Sequence, residues 1–428
     1  MNYEQATAYV ERHIGRGGEP GLDRINDLLD LMGRPQEGYP IIHVAGTNGK
    51  TSTALFATLV LVAHGLTTGT YTSPHLQRME ERLAINGRFS TSEEFALAVS
   101  DVAAFADLRE GAGDTPNTYF ELTTAAAFAF FADQAVNAAV LEVGLGGRLD
   151  STNVVDAEVC VVTSIGEDHT EFLGAAIKDI AAEKLAIAGP GSILVTGDLP
   201  EAAMEVANGR ARELGIQHRR YEHDFGIDAY ERGLGGWLTT IRGAETTYED
   251  IFLPLHGRYQ LTNLAIAIAS AEALVGRKLD VEALRDAAAV ATAPGRMEAL
   301  ASSPFVMVDG AHNADGVQSL VDSLREEYPT TRWHLVLGIM GDKNVELMVE
   351  YLSPVVKGVI TTAVDNKRAI PPVELADRVS RVVPDVPVLA ADSVEYGLDM
   401  ARAEAGAEGA ILVTGSIYLV GEARDLLT

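Results

Sequence analysis

Residues 41–52, IIHVAGTNGKTS, carry the strongest chemical signal in the chain. An apolar run ends at Ala45. Gly46, Thr47, Asn48 and Gly49 follow, then Lys50, Thr51 and Ser52. That order predicts a strand, a tight turn and a helix running to Ala63, with Gly65 as its stop. Glycines let phosphate oxygens approach the backbone. A helix N-terminus offers free N–H groups and a positive dipole end. Lys50 in this position can reach the β- and γ-phosphates of a nucleotide, and a Thr or Ser hydroxyl can join a magnesium shell. The general spacing G-x-x-x-x-G-K-[ST] would place its first glycine at position 44, where Val44 stands. The loop is thus a variant, and a plain strand–turn–helix is its bland alternative.

Other residues are less telling alone. Glu142 ends the apolar run AAVLEV, where a carboxylate is costly unless paired, so a structural salt bridge is the alternative. His169 in GEDHT fits a hydrogen-bonded loop histidine. Ser73 beside Pro74 fits a turn, and Lys184 a solvated helix position. Arg82 follows Glu80 and Glu81 and could simply pair with them.

The elements that must position these residues form a parallel α/β pattern. Strands are predicted at 41–45, 68–72, 138–143, 159–165 and 192–196, with helices at 51–63, 92–107, 120–132 and 176–187. Residues 219–255 alternate in short runs and suggest a small antiparallel insertion. A helix follows at 259–275. Pro294 and Gly295 in ATAPG mark a hinge. Beyond it, strands at 305–308, 333–337, 358–362, 387–390 and 410–414 predict a second, smaller unit. Two such units joined by a hinge suggest a ligand in the cleft between them.

The bulk numbers narrow the class. A chain of 428 residues exceeds one ordinary core. The count of 33 basic against 61 acidic residues, net −28, argues against nucleic acid or an anionic membrane as partner. No charge-free apolar run reaches the roughly 20 residues that span a bilayer. The N-terminus lacks the order of a signal peptide. A cytoplasmic protein is expected. The single cysteine, Cys160, permits no intrachain disulfide and is expected to be a buried small hydrophobe.

Further segments give the loop its context. These are TSPHL at 72–76, ERLAING at 81–87, YFELTTAAAF at 119–128 and EVGLGGRLDSTN at 142–153. SIGEDHTEFLG at 164–174, AAEKLAI at 181–187, GRYQLTN at 257–263, PGRME at 294–298, DGAHN at 309–313 and VTGSIYLVGE at 413–422 follow. With GTNGKT, this ordered set resembles the folylpolyglutamate synthase and dihydrofolate synthase family of the Mur ligase superfamily, over nearly the whole chain. Two departures stand out. Thr51 occupies a position where many members carry Gly, and Ala314 follows DGAHN where Pro is usual.

The resemblance implies an α/β architecture. An N-terminal P-loop-type domain with a mostly parallel sheet, residues 1–293, would bind ATP and carry the insertion near 219–255. A smaller Rossmann-like α/β domain, 294–428, would be the glutamate-ligase domain. The implied reaction joins L-glutamate to a folate-type carboxylate, from a reduced folate or dihydropteroate, through an acyl phosphate, with ATP and Mg2+.

By the same resemblance, Gly46, Thr47, Asn48, Gly49, Lys50, Thr51, Ser52, Asn263, Arg296 and Asp309 hold the nucleotide. Ser73, Glu142 and His169 hold the metal. Lys184 matches a carbamylated lysine, which requires a neutral amine and hence a crowded or partly buried site. Lys50, Lys184, Arg296 and His312 are the implied catalytic set. Arg82, Ser416 and Tyr418 face the folate or the incoming glutamate, and Lys343 is a weaker candidate for the same cleft. A monomer is expected. The rival readings are another Mur-type amide ligase, a phosphate-loop protein that forms no amide, and an inactive binding protein.

Overall fold

The computed structural model describes residues 1–428 apart from 17, 169–173 and 175. The first sheet contains β1 (Ile41–Ala45), β2 (Thr68–Tyr71), β3 (Leu83–Ile85), β4 (Arg88–Phe89), β5 (Ala138–Glu142), β6 (Val159–Val162), β7 (Ile193–Thr196) and β8 (Gln217–Arg220). Their order is β4-β3-β2-β5-β1-β6-β7-β8. β1 pairs in parallel with β5 and β6, and only β3 and β4 run antiparallel to their neighbours.

All five residues of β1 are buried, as expected of a central parallel strand covered on both faces. Alternate side chains enter opposite cores. Ile42, Val44, Val140 and Val161 pack with helices Lys50–Ala63 and Tyr259–Val275. Ile41, Ala45, Leu141 and Val162 pack with helices Ser92–Gly111, Tyr119–Asp133 and Ile177–Leu185. Two of these helices start with reciprocal caps, Thr91 with Glu94 and Thr118 with Glu121, which satisfy N–H groups left free by the first turn.

A three-stranded antiparallel sheet follows: β9 (Gly226–Gly233), β10 (Gly236–Arg242) and β11 (Thr247–Leu253). The segment expected to be wholly antiparallel thus begins with residues that belong elsewhere, because β8 pairs in parallel with β7 in the first sheet. The last sheet holds β12 (Glu298–Ser302), β13 (Phe305–Asp309), β14 (Trp333–Leu337), β15 (Val356–Thr361), β16 (Val388–Ala390) and β17 (Ala410–Thr414), in the order β12-β13-β17-β14-β15-β16. Only β12 is antiparallel to its neighbour.

Most expected strands and helices lie within a few residues of their observed places. The structure corrects a second region. Residues 73–89, for which the sequence predicts no strand or helix, contain a helical turn (Met79–Arg82) and the hairpin β3–β4, which extends the sheet beyond β2. Strands of two and three residues are too short to show an alternation. The structure contains no helix long and apolar enough to cross a membrane among the described residues.

Candidate active site

The C-terminal ends of β1, β5 and β6 in one sheet, and of β13, β14 and β17 in the other, face a common cleft of about 950 Å³. This is where open parallel sheets bind ligands. The phosphate loop forms its floor. Gly49 takes φ +83° at the start of helix Lys50–Ala63, a left-handed conformation that favours glycine. A Cβ there would lie 2.5 Å from Asn263 Oδ1, and one at Gly46 would lie 1.9 Å from Thr163 Oγ1. The loop is pinned from below. Thr47 N–H donates to Ser164 O at 2.9 Å, and Asn48 N–H donates to Ser164 Oγ at 2.9 Å. Lys50 Nζ donates to the carbonyls of Gly46 and Thr47 at 3.0 and 3.3 Å.

Lys184 reaches the same carbonyl, Gly46 O, at 3.1 Å. It is buried, and desolvation together with the Lys50 charge pulls its ammonium down to about 7, against the opposing pull of Asp168 and Asp150. Lys184 is therefore no solvated helix lysine. Asp150 is itself tightly held, accepting from the N–H groups of Leu145 and Thr152 at 2.9 and 3.0 Å.

Glu142 is 1% exposed at the end of β5. Thr51 Oγ1 donates to its Oε1 at 2.9 Å, and Ser73 N–H donates to its Oε2 at 3.2 Å. Burial pushes its carboxyl upward, while Lys50, these two donors and Arg296 act to lower it. Magnesium takes oxygen ligands, keeps several waters and commonly uses one or two carboxylates with substrate phosphates. A buried carboxylate bonded to the Thr51 hydroxyl fits that donor chemistry. Among the described residues no group of three or more His, Cys, Asp or Glu could hold a metal ion. His169, the third expected ligand, lies outside the described residues.

The hinge-side wall supplies cations on longer stems. Arg296 Nη1 donates to Gly295 O at 3.0 Å, and His312 Nδ1 lies 2.9 Å from Gly310 O. Lys343 bonds Asp168, which sits on the opposite wall. Asp168 also accepts from Asn313 Nδ2 at 3.0 Å and lies 3.6 Å from His312 Nε2. Asn48 and Asn313 exchange amide hydrogen bonds across the cleft, each at 3.2 Å. Asp309 is less available than expected for a ribose ligand. Its oxygens accept from Met297 N–H and Ala311 N–H, both at 2.8 Å, and from Tyr259 OH at 3.3 Å. Asn263 is buried against the loop and donates to Gln260 at 2.9 Å.

On the far side, Arg82 does not pair with Glu80 or Glu81. Its Nε donates to His75 Nδ1 at 2.9 Å, and its guanidinium lies 5.3 Å from the Tyr119 ring centroid. Burial and the Arg82 charge lower His75 to about 4. Ser416 caps the helix Ile417–Leu427, and Tyr418 lies in its first turn. Every described residue singled out from the sequence as a site candidate lines this one cleft. Sequence reasoning missed Asp168, Asn313, Asp150 and His75. All four stand as polar residues within quoted motifs, but which groups they meet depends on the tertiary structure.

Residues 44–271 match the Mur ligase middle domain, and residues 295–417 match the Mur ligase glutamate ligase domain. Dihydrofolate synthase/folylpolyglutamate synthase of Mycobacterium tuberculosis is 36% identical, over 95% of this chain and 90% of the relative. A solved Mycobacterium tuberculosis folylpolyglutamate synthase complexed with ADP superposes with a TM-score of 0.95 at 35% identity, covering 99% and 98% of the two chains. An FPGS–AMPPCP–folate complex superposes with a TM-score of 0.86 at 31% identity, over 100% of both. The chain belongs to the Mur ligase family and, within it, to the dihydrofolate synthase/folylpolyglutamate synthase group.

Proposed function

We propose that this protein is an ATP-dependent ligase that joins L-glutamate to a folate-type carboxylate, on tetrahydrofolate, dihydropteroate or both. The observation that carries this reading is the single cleft. It gathers a phosphate loop, a buried carboxylate and cations from two walls, which is what three anionic partners need for alignment. The solved relatives named with ADP, and with AMPPCP and folate, support the same chemistry.

The reaction has two steps. A substrate carboxylate oxygen attacks the γ-phosphorus of ATP, the bond to the β-phosphate oxygen breaks, and ADP leaves. The glutamate amine then attacks the acyl phosphate, loses a proton, and phosphate departs. Lys50 and the N–H groups of the loop hold the β- and γ-phosphates. Arg296, which lies just past the 291–295 hinge, meets the charge that develops on the transferring group. Ser73 and Glu142, with His169, would hold magnesium, which neutralises phosphate charge when bound. His312 and Lys343 stabilise the second step from the hinge-side wall, and Ser416 and Tyr418 orient the glutamate. Asn263 and Asp309 shape the nucleotide pocket.

Lys184 is buried and its ammonium is pulled down to about 7, so the neutral amine that carbamylation requires forms at lower pH than for an ordinary lysine. As a carbamate it would become an anion close to Lys50. We place the domain boundary at 293/294, and expect a cytoplasmic monomer. Phosphate release from ATP should require both a folate or pteroate and L-glutamate. Release that ignores glutamate would rule out the ligase reading.

A further inference from the structure

The helix Ala314–Glu327 belongs to the unit built on β12–β17, yet both of its ends are pinned to the first unit. At its start, Asn313 exchanges amide bonds with Asn48 at 3.2 Å and donates to Asp168 at 3.0 Å. A Cβ on Gly166 would lie 1.7 Å from Asp315 Oδ2, so the two walls touch there. Glu327 stands at the other end, 14 residues and about 21 Å along at 1.5 Å per residue. Its carboxylate accepts from Gly257 N–H and His256 Nδ1, both at 2.6 Å, and Arg232 Nη2 lies 3.5 Å away. Arg232 Nη1 also donates to the Glu327 carbonyl at 2.6 Å, and Arg258 Nε pairs with Glu326 at 3.2 Å. Arg232 is on β9, so the small antiparallel sheet braces this junction. Tyr328, next in the chain, packs on Phe305 and Trp333 at the starts of β13 and β14, with centroids 5.5 and 5.7 Å away.

Apolar contacts let packed elements slide, whereas hydrogen bonds to a carboxylate fix an angle. Glu327 does not line the cleft, and its side chain is 2% exposed. Burying a carboxylate is costly, and three partners from the first unit answer this one. Gly257 stands two residues before helix Tyr259–Val275. That helix is a fixed frame. Its Leu264, Ala265 and Ile268 lie in one core with Val44 and Ala54, and its Asn263 abuts Gly49. Glu327 therefore joins the fixed helix to the far end of the helix that Asn313 caps, directly after His312. We propose that Glu327 is a positioning residue for the reaction. It sets the angle of helix Ala314–Glu327 and so the placement of His312 and Asn313 over the phosphate loop. Its effect on turnover rests on the ligase reading above. The phosphate loop lies wholly in the first unit, so the anchor governs the reaction more than nucleotide affinity.

The test uses the full chain with spin labels at Glu201→Cys and Gln318→Cys, both exposed, while the buried Cys160 stays unlabelled. Double electron–electron resonance, with a non-hydrolysable ATP analogue bound, reads the distance between the two units. The labelled parent should give one narrow distribution and Glu327→Ala a broad one. In Glu327→Ala, turnover per analogue-binding site should fall about 100-fold, the size of a misplaced group, with analogue affinity within about threefold. A folding defect alone would lower the number of binding sites and leave turnover per site unchanged. Glu327→Gln keeps an acceptor for Gly257 N–H and should return both the narrow distribution and turnover to within about threefold of the parent. His256→Ala removes one bond at a partly exposed position and keeps the other. It should broaden the distribution and lower turnover about tenfold even if Glu327→Ala does not fold. An unchanged distribution, a broad one with turnover intact, or equal loss of turnover and analogue affinity overturns the proposal. A parent that releases no glutamate-dependent phosphate would sink the ligase reading, while a broad distribution in Glu327→Ala would still uphold the anchor.

Discussion

The wall built on β1, β5 and β6 offers mainly backbone and short, fixed side chains, whereas the wall built on β13, β14 and β17 offers long cations. In the first, Gly46 and Gly49 leave no room for a Cβ, and Thr47 and Asn48 are bonded to Ser164 beneath them. In the second, Arg296 and His312 rest on local carbonyls, and Lys343 is held by a carboxylate of the opposite wall. The difference suggests a division of labour. On the proposed ligase reading, the preformed floor would hold the nucleotide common to every turnover, and the side chains across the hinge would complete the site.

Contacts between the walls fall into two groups. Near the hinge, Glu327 accepts from Gly257 N–H and from His256 Nδ1, both at 2.6 Å, and Tyr259 bonds Asp309. Glu327 is almost fully buried, so this contact is costly to break. At the mouth, Asp168 and the Asn48–Asn313 pair touch partly exposed partners.

This contrast can be broken from either side. The largest effect should come from the floor. Lys50→Ala should lower turnover by about a thousandfold, from loss of a preorganised cation at the transferring phosphate, with little change in Tm. A fall below tenfold in a phosphate-release assay would deny the loop its role. Across the hinge, Arg296→Ala should lower kcat about 100-fold while ATP affinity stays within about threefold. Equal loss in both would make Arg296 a binding residue and erase the proposed division of labour.

Lys184 offers a pH test of the floor. Its ammonium loses its proton near 7 rather than at the ordinary lysine value of 10.5, and carbamate forms only from the neutral amine. Labelling by 13C-bicarbonate, read by NMR, should rise with pH through that value and vanish in Lys184→Met. A rise centred near the ordinary lysine value would contradict the burial argument. The smallest effect belongs to the mouth. Asn313→Ala removes the reciprocal amide pair with Asn48, each bond worth about 1 kcal/mol, so catalytic efficiency should drop about 30-fold with nucleotide binding intact. A drop as large as that of Arg296→Ala would place the mouth contacts, and not the cations, at the centre of closure.

Much of the floor was legible because its causes are local. An apolar run, two glycines and a lysine at fixed offsets dictate strand, turn and helix start within a dozen residues. Glu142 could be flagged because a carboxylate after AAVL has few tolerable environments. The hairpin β3–β4 and the edge strand β12 were not legible, being short and partly exposed. β8 carries the polar sequence QHRR, and only its pairing with β7 makes it part of the main sheet.

By itself, then, the sequence determined the phosphate loop, the order of most strands and helices, and the candidacy of Arg82 and Lys184. Tertiary structure decided what each charge does. The Lys184 ammonium is pulled down to about 7 because burial strips it of water and Lys50, more than 130 residues away in sequence, adds its charge. Arg82 meets His75 and Tyr119 because Glu80 and Glu81, its neighbours in sequence, are bonded to other partners. Burial and pairing set the behaviour of an ionisable group, and both are properties of what surrounds it in space.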